Sequence, residues 1–331
     1  MKDILNKLFT HYILTKEEAK SILLSVGKGE FDPLQIASFL TVFNMRSVTV
    51  EELTGFREAM LELCVKVDLS EFEAIDIVGT GGDGKDTFNI STTSAFVVAG
   101  AGYKVSKHGN YGVSSSVGSS NVLEYLGVKF SNDESFLKTC LDQTGFCMMH
   151  AQLFHPAMKY VAPVRKAMQV RTFFNIIGPL VNPSFPKKHL HGVFNLETLR
   201  LYGYLHKLTG DQFKIVHALD GYDEISLTSS TKVYGNTGEF IYSPADLGFD
   251  LLEQKDLWGG ASIDESAKIL KNILAGTGTK AQESPVVANA ALAITVADNS
   301  KSYTEAKAEA KESIDSGKAT KALETLIKLS K

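Results

Sequence analysis

The stretch Ile75-Asp-Ile-Val-Gly-Thr-Gly-Gly-Asp-Gly84, continued by Lys85-Asp-Thr-Phe-Asn-Ile-Ser-Thr-Thr93, passes from an apolar strand through a glycine-rich turn into a helix start. At Gly79, Gly81 and Gly82 the missing Cβ lets backbone amides come close to a ligand. Ser91 and Thr92 then open the helix with hydroxyls and unpaired N–H groups at its positive end, which suits an anion such as phosphate. The spacing is neither GxxxxGK[ST] nor GxGxxG. A plain glycine turn closed by a Ser/Thr cap would read the same way, so the surrounding elements decide.

Downstream of Glu73 the chain alternates strand, loop and helix. Strands are expected over 75–78, 103–106, 145–149, 190–194, 213–218 and 225–228. Helices are expected near 91–99, 156–166, 197–208, 265–274, 285–298 and 303–329, the last broken at Gly317. That alternation predicts an α/β fold whose mostly parallel central sheet is flanked by helices. Upstream, three start signals precede amphipathic stripes: Thr15 with Glu18, Asp32 with Pro33, and Thr49 with Glu52. Helices this short persist only when packed together, so residues 1–70 are expected to form a small helical domain. The large α/β domain is expected over 71–331, and the glycine- and proline-punctuated segment 163–186 could connect the two.

Composition narrows the function classes. The 331 residues carry a net charge of -4, which supplies no global attraction to nucleic acid or an anionic membrane. Any phosphate must therefore be held by a local site. Three cysteines, Cys64, Cys140 and Cys147, without CxxC spacing, fit reduced thiols in the cytoplasm. The first twenty residues lack the features of a signal peptide, and the apolar run 285–297 is too short to span a bilayer.

Three further segments bear on chemistry. Lys107-His-Gly-Asn-Tyr-Gly-Val-Ser-Ser-Ser-Val-Gly-Ser-Ser120 follows the second strand, at the sheet edge where open α/β folds bind ligands. Its glycines, serines and lysine suit a phosphorylated sugar, although a serine-rich surface loop is the plainer reading of it alone. Asp220-Gly-Tyr-Asp-Glu-Ile-Ser226 offers Asp223 and Glu224 as hard oxygen ligands for Mg²⁺. An isolated acidic pair is more often a solvated turn; two phosphate loops that need a counter-ion change that balance. Arg165 could pair bidentately with a carboxylate or sit in a surface salt bridge, and pattern alone leaves both open. His189 and His191 share a strand face but have no cysteine or carboxylate close by in sequence, so they read as packed or exposed side chains rather than zinc ligands.

Six motifs in order, Gly79-Thr-Gly-Gly-Asp83, Asn89-Ile-Ser-Thr92, Lys107-His-Gly-Asn110, His155-Pro-Ala-Met158, Arg171-Thr-Phe-Phe-Asn175 with Gly178-Pro-Leu180, and Asp223-Glu-Ile-Ser-Leu227, resemble those of the anthranilate phosphoribosyltransferase family over essentially the whole chain. The resemblance implies the fold shared with pyrimidine nucleoside phosphorylases, with a hinge-adjacent segment near 165–185 joining the helical domain and a homodimer formed through the helical domains. It implies that 5-phosphoribosyl diphosphate (PRPP) contacts Gly79, Gly82, Asp83, Thr87, Asn89, Ile90, Ser91 and Thr92. The phosphoribosyl pocket would be lined by Lys107, His108, Gly109, Asn110, Tyr111, Gly112, Val113, Ser114, Ser115 and Ser119. Anthranilate would meet Gly79, His108, Asn110 and Arg165. Two Mg²⁺ ions per subunit would be held, one by Ser91 and Glu224, the other by Asp223 and Glu224. Association with anthranilate synthase is left open. The loop departs from the common pattern at Tyr111, where many relatives have arginine, at Ser116, where a lysine is usual, and at Val117, where a serine is common.

These residue types suit displacement of diphosphate from C1 of the sugar. The leaving group is already good, so charge neutralisation and orientation matter more than a strong base, and closure of the two domains is the expected device. No catalytic side-chain nucleophile or essential base is expected. Two alternatives share the fold class: a pyrimidine nucleoside phosphorylase, which would need base-reading residues in place of Lys107–Asn110 and Arg165, and a non-catalytic nucleic-acid-binding relative, which would need a basic groove.

Overall fold

Strand pairing organises the larger part of the chain. In the computed structural model, which describes residues 1–112 and 117–331, seven strands form one sheet in the order β3-β2-β1-β4-β5-β6-β7. They are β1 Ile75–Gly79, β2 Val105–Gly109, β3 Phe146–His150, β4 Lys188–Gly192, β5 Gln212–Ala218, β6 Thr231–Gly235 and β7 Gly238–Tyr242. The first five are parallel to their neighbours; β6 and β7 add an antiparallel hairpin at one edge. The chain leaves β1 towards β2 and β3, then returns to β4 on the other side of β1. That reversal creates a switch point, where open α/β sheets leave a crevice at the carboxyl ends of the strands. Register places Gly79 directly beside Gly192 there.

The chain divides into two compact units. One consists of Met1–Lys66 with Ala151–Pro183, the other of Val67–His150 with Ser184–Lys331. Helices are numbered along the whole chain. The first unit begins with α1 Lys2–Phe9, α2 Lys16–Lys28, α3 Pro33–Met45 and α4 Val50–Leu63. All three expected start signals form capping boxes, at Thr15/Glu18, Asp32/Gln35 and Thr49/Glu52. Glu52 is fully buried: it caps Thr49, accepts from the Leu14 amide, and pairs with Arg46 at 2.6 Å. The returning segment carries α8 Ala151–Phe154, a 3₁₀ turn Pro156–Tyr160, α9 Ala162–Met168 and α10 Phe174–Ile177. Aromatic packing fixes it to the first helices: Phe173 stacks on Phe56 at 4.4 Å and meets Phe39 and Phe43 edge-on.

The same unit buries His155, whose Nε2 lies 3.0 Å from the Val181 carbonyl oxygen. Burial pushes its pKa down to about 4, against the pull of that hydrogen bond. A folded-state value below the ordinary 6.5 means the unfolded chain takes up the proton first as pH falls. Stability is therefore fully present above pH 6.5 and is lost progressively down to about 4, by up to about 3 kcal/mol from this residue. His155→Gln, which cannot titrate there, should show a shallower fall in the urea midpoint between pH 6.5 and 4. Equal acid slopes in the two proteins would remove His155 from the account.

In the second unit, α5 Ile90–Gly100, α6 Ser119–Tyr125, α7 Glu134–Thr144, α11 Leu196–Thr209, α12 Ile263–Leu274, α13 Lys280–Ala297, α14 Tyr303–Asp315 and α15 Lys318–Leu329 accompany the sheet. Helices α5 and α13 are buried almost all round, which explains why both are apolar on every face. The sequence expectation of an α/β domain with a mostly parallel sheet holds. The strand expected at 225–228 does not form. Leu227 adopts φ +62°, the Ser226 and Thr228 hydroxyls bond to each other, and Asn289 takes up both backbone groups of Ile225. The extra pairing comes instead from the β6–β7 hairpin around Asn236–Thr237, whose Gly238 (φ +130°) makes the tight reversal.

Candidate active site

The acidic segment after β5 crosses the carboxyl ends of β1 and β4. It can do so because both strands end in glycine: a methyl built on Gly192 would overlap the Asp223 carbonyl oxygen, and one on Gly79 would overlap the Asp223 carboxylate. The turn after β1 then wraps the carboxylate. Gly81, Gly82 and Gly84 have φ between +63° and +77°, and the Gly81 amide donates to Asp223 Oδ2 at 2.7 Å. Thr80 extends the β1–β4 ladder through its amide to the Gly192 carbonyl oxygen. Asn289, on α13, brackets Ile225 at 3.1 Å and 2.9 Å and so fixes the segment from beneath.

Glu224 engages a different element, the start of α5. Its Oε1 accepts the Ser91 amide at 2.9 Å, which caps the N-terminus of α5 with a carboxylate. Lys107, in the middle of β2 and only 1% exposed, reaches the Ile77 carbonyl oxygen at 2.5 Å and Ser91 Oγ at 3.3 Å. Burial pushes its pKa down to about 8 even though Asp76, Glu224 and Asp223 pull it up. Asp223 is pushed up to about 7 by burial and by the charge of Asp83. Glu224 is raised well above the usual carboxylate range, by burial and then by Asp223; Asp83 is raised by burial. Asp83, Asp223 and Glu224 thus crowd one crevice beside Lys107, and their charged forms are disfavoured until further positive charge arrives. Oxygen donors in that state fit Mg²⁺, which prefers carboxylates and phosphate oxygens to softer ligands.

The other expected residues spread along the same rim. Thr87 forms an isolated bridge with Trp258. Asn89 donates Nδ2 to the Val117 carbonyl oxygen at 3.0 Å, tying the loop after β2 to the start of α5. Ile90 and Thr92 are buried in the first turn of α5. His108 is buried, with its amide on Asp76 Oδ1. A methyl on Gly109 would press on Ser119 and Met148. Asn110 is exposed, its carbonyl oxygen accepting from the Ser119 hydroxyl and the Ser120 amide. Gly112 donates its amide to Asn121 Oδ1. Tyr111 turns its hydroxyl to Glu124 of α6 at 3.2 Å and sets its ring edge-on against His150 at the end of β3, so this departure from the usual arginine is engaged by the elements beside the loop. Val113, Ser114, Ser115 and Ser116 lie outside the described residues.

Arg165, in the helical unit, is half-buried on α9. Nη2 donates to Asn175 Oδ1 at 3.2 Å and the guanidinium lies 5.5 Å from the Phe174 ring centroid. Burial lowers its pKa, and no carboxylate among the described residues offsets that. The surface salt bridge that pattern left open is therefore not what holds it. Sequence reading passed over Gly192 and Asn289, the two residues that shape the acidic segment. The second carried a signal, a lone amide inside the apolar run 285–297; the first carried none that could be read locally.

Residues 71–320 match the model of the glycosyl transferase family a/b domain, and residues 2–64 that of the same family's helical bundle domain. The anthranilate phosphoribosyltransferase of Flavobacterium johnsoniae is 58% identical over 330 residues, covering 100% of both chains. The chain belongs to the anthranilate phosphoribosyltransferase family. The enzyme of Christiangramia forsetii is 56% identical, covering 100% of this chain and 99% of its own. Among solved structures, anthranilate phosphoribosyltransferase from Thermus thermophilus superposes with a TM-score of 0.93 at 32% identity, over 98% of each chain. The Saccharomyces cerevisiae anthranilate phosphoribosyltransferase in complex with PRPP and Mg gives 0.90 at 28% identity, covering 98% of this chain and 96% of that one.

Proposed function

We propose that this protein transfers the 5-phosphoribosyl group of PRPP to the amine of anthranilate, giving N-(5-phosphoribosyl)anthranilate and pyrophosphate in tryptophan biosynthesis. The observation that carries this reading is the convergence of Asp223 and Glu224 on a bare-backbone glycine turn and a helix N-terminus at the sheet's switch point. Two Mg²⁺ ions are assigned, one to Ser91 and Glu224, the other to Asp223 and Glu224. Bound there, the metal supplies charge neutralisation for the diphosphate.

The chain's own groups do the rest. Amides of the glycine turn, with Asp83, Thr87, Asn89 and Ser91, position the diphosphate. Lys107 and the loop that follows it hold the phosphoribosyl end, where His108, Gly109, Asn110, Tyr111, Gly112 and Ser119 stand, and Ile90 and Thr92 shape the floor. The C1–O bond to diphosphate breaks as the C1–N bond forms on the opposite face, with inversion. An aniline-type amine is neutral at pH 7, so its proton leaves after the new bond forms and no strong base is required. Orientation of two bound substrates then accounts for much of the acceleration. Anthranilate fluorescence should disappear when PRPP is added with Mg²⁺, and persist without the metal. Unchanged fluorescence with fresh PRPP and Mg²⁺ would reject the assignment.

Arg165 is assigned to the carboxylate of anthranilate, whose aromatic ring also meets Gly79, His108 and Asn110. A half-buried guanidinium held by one amide oxygen keeps donors for a bidentate partner. Arg165→Ala should raise the anthranilate KM by roughly 2–5 kcal/mol worth of binding, some tens- to thousands-fold. An unchanged KM would remove Arg165 from the site.

A homodimer through the helical unit is supported by an apolar groove between α1 and α3, where Phe9, Leu34 and Met45 are 61%, 79% and 83% exposed. Such a contiguous patch usually marks an interface. Leu34→Glu with Met45→Glu should halve the mass measured by light scattering; an unchanged mass would place the interface elsewhere. Free, buried Cys64, Cys140 and Cys147 support the reducing cytoplasm as the compartment, and no helix among the described residues is long and apolar enough to cross a membrane.

A further inference from the structure

Beneath the sheet face covered by α11, three histidines meet in the interior. His189 and His191 stand two residues apart on β4, hence on one face, and His206 comes from the last turns of α11. All three are buried, and one ring nitrogen from each falls within 4.8 Å of the others. We propose that His189, His191 and His206 form a binding site for a divalent transition ion of the zinc class, separate from the carboxylate crevice.

Three observations carry this. First, the donor spacing suits such an ion. Tetrahedral zinc with Zn–N bonds of about 2.0–2.1 Å keeps its ligand atoms roughly 3.3 Å apart. His206 Nε2 and His191 Nδ1 are 3.2 Å apart, and one nitrogen from each of the three rings lies within 4.8 Å of the others. Second, His206 is oriented from behind. Its Nδ1 lies 3.3 Å from Asp211 Oδ2, the carboxylate–imidazole arrangement that fixes a metal-binding tautomer and leaves Nε2 as the donor. Asp211 is itself anchored, by the Thr209 hydroxyl at 2.5 Å, by Lys187 at 3.3 Å, and through its backbone oxygen by Asn236. Third, His189 is 4% exposed, yet neither of its ring nitrogens has a hydrogen-bond partner. Its Nε2 stands 3.6 Å from Asp211 Oδ2, beyond hydrogen-bonding distance. A buried polar ring in that state costs stability unless something binds it.

What sets His189 and His191 apart from a zinc site in sequence is the lack of a nearby cysteine or carboxylate. The fold removes it by bringing Asp211 and His206 across from the far end of α11. Neutral imidazoles favour zinc, cobalt, nickel or copper, whereas Mg²⁺ selects oxygen ligands, so the two sites should sort ions by type.

The test uses the full chain stripped with chelator, then titrated with Co²⁺ and with Zn²⁺ while Mg²⁺ is kept in large excess. One ion per chain, a tetrahedral Co²⁺ visible spectrum and a higher thermal midpoint with Zn²⁺ are expected. His189→Gln and His206→Gln should each weaken binding at least a hundredfold, and Asp211→Asn by 10–100-fold. His11→Gln, on the exposed surface, should leave it unchanged. Absence of the tetrahedral spectrum in the unmutated protein overturns the proposal, even if the histidine variants fail to fold. So does undiminished binding in a folded His189→Gln protein.

Discussion

Asp223→Asn combined with Glu224→Gln should lower kcat on the order of a thousandfold while the anthranilate KM moves only a few-fold. Each amide keeps an oxygen where the carboxylate accepts a bond, from Gly81 in one case and Ser91 in the other, so the segment retains its shape. Charge alone is removed. A second readout separates this from a folding defect. Both acids have folded-state pKa values above the ordinary carboxylate value, chiefly through burial, so ionising them costs the metal-free protein stability. For Asp223 that cost is absent below about pH 4 and complete above about pH 7, and for Glu224 it too grows as pH rises. At neutral pH without Mg²⁺ the double variant should therefore melt no lower than the unmutated protein. With Mg²⁺ and PRPP only the latter should gain, by mass action. Turnover within tenfold of normal, or an equal ligand-induced gain in both, would refute the assignment of these two acids to the metal.

What could be read from the chain followed the range of the interactions involved. The capping boxes at Thr15, Asp32 and Thr49 are set by residues three positions apart, and all three form. The strand–turn–helix at 75–93 is local too, since glycine tolerance and an apolar strand both announce themselves in sequence. The segment 225–228 looked like a strand because Ile225 and Leu227 alternate with hydroxyl residues. Its fate was decided by Asn289, sixty-four positions away, which supplies the hydrogen bonds that a neighbouring strand would have made. The pairing of Gly79 with Gly192 likewise exists only once β4 has inserted beside β1. The histidine cluster is a further case: its members are separated by up to seventeen residues and meet only because a helix folds back over the strand that precedes it. Local rules place the loops, and the sheet's switch point decides which loops face each other.

That dependence makes Gly192→Ala the sharpest single test of the site's architecture. The added methyl would occupy the space of the Asp223 carbonyl oxygen, a backbone atom that no rotamer change can move aside. The segment must shift as a body, carrying both carboxylates with it, while Gly81, Ser91 and Asn289 hold their ends of the bonds. Misplacement of about 1 Å costs roughly a hundredfold in rate where orientation dominates, so kcat should fall at least that far, with a weaker response to Mg²⁺. Overpacking should cost about 1–3 kcal/mol of stability. Gly79→Ala meets the Asp223 side chain instead, which can swing away, so its loss should be smaller in stability though still visible in metal response. Gly235→Ala, in β6 of the same sheet, provides the control. Its methyl would meet the Phe213 oxygen at 3.1 Å and the Lys214 side chain at 3.3 Å, separations that a few tenths of an ångström relieve. If Gly192→Ala turned over as fast as Gly235→Ala, the carboxylates would not depend on the close crossing of β1 and β4, and the site would have to be held by other elements.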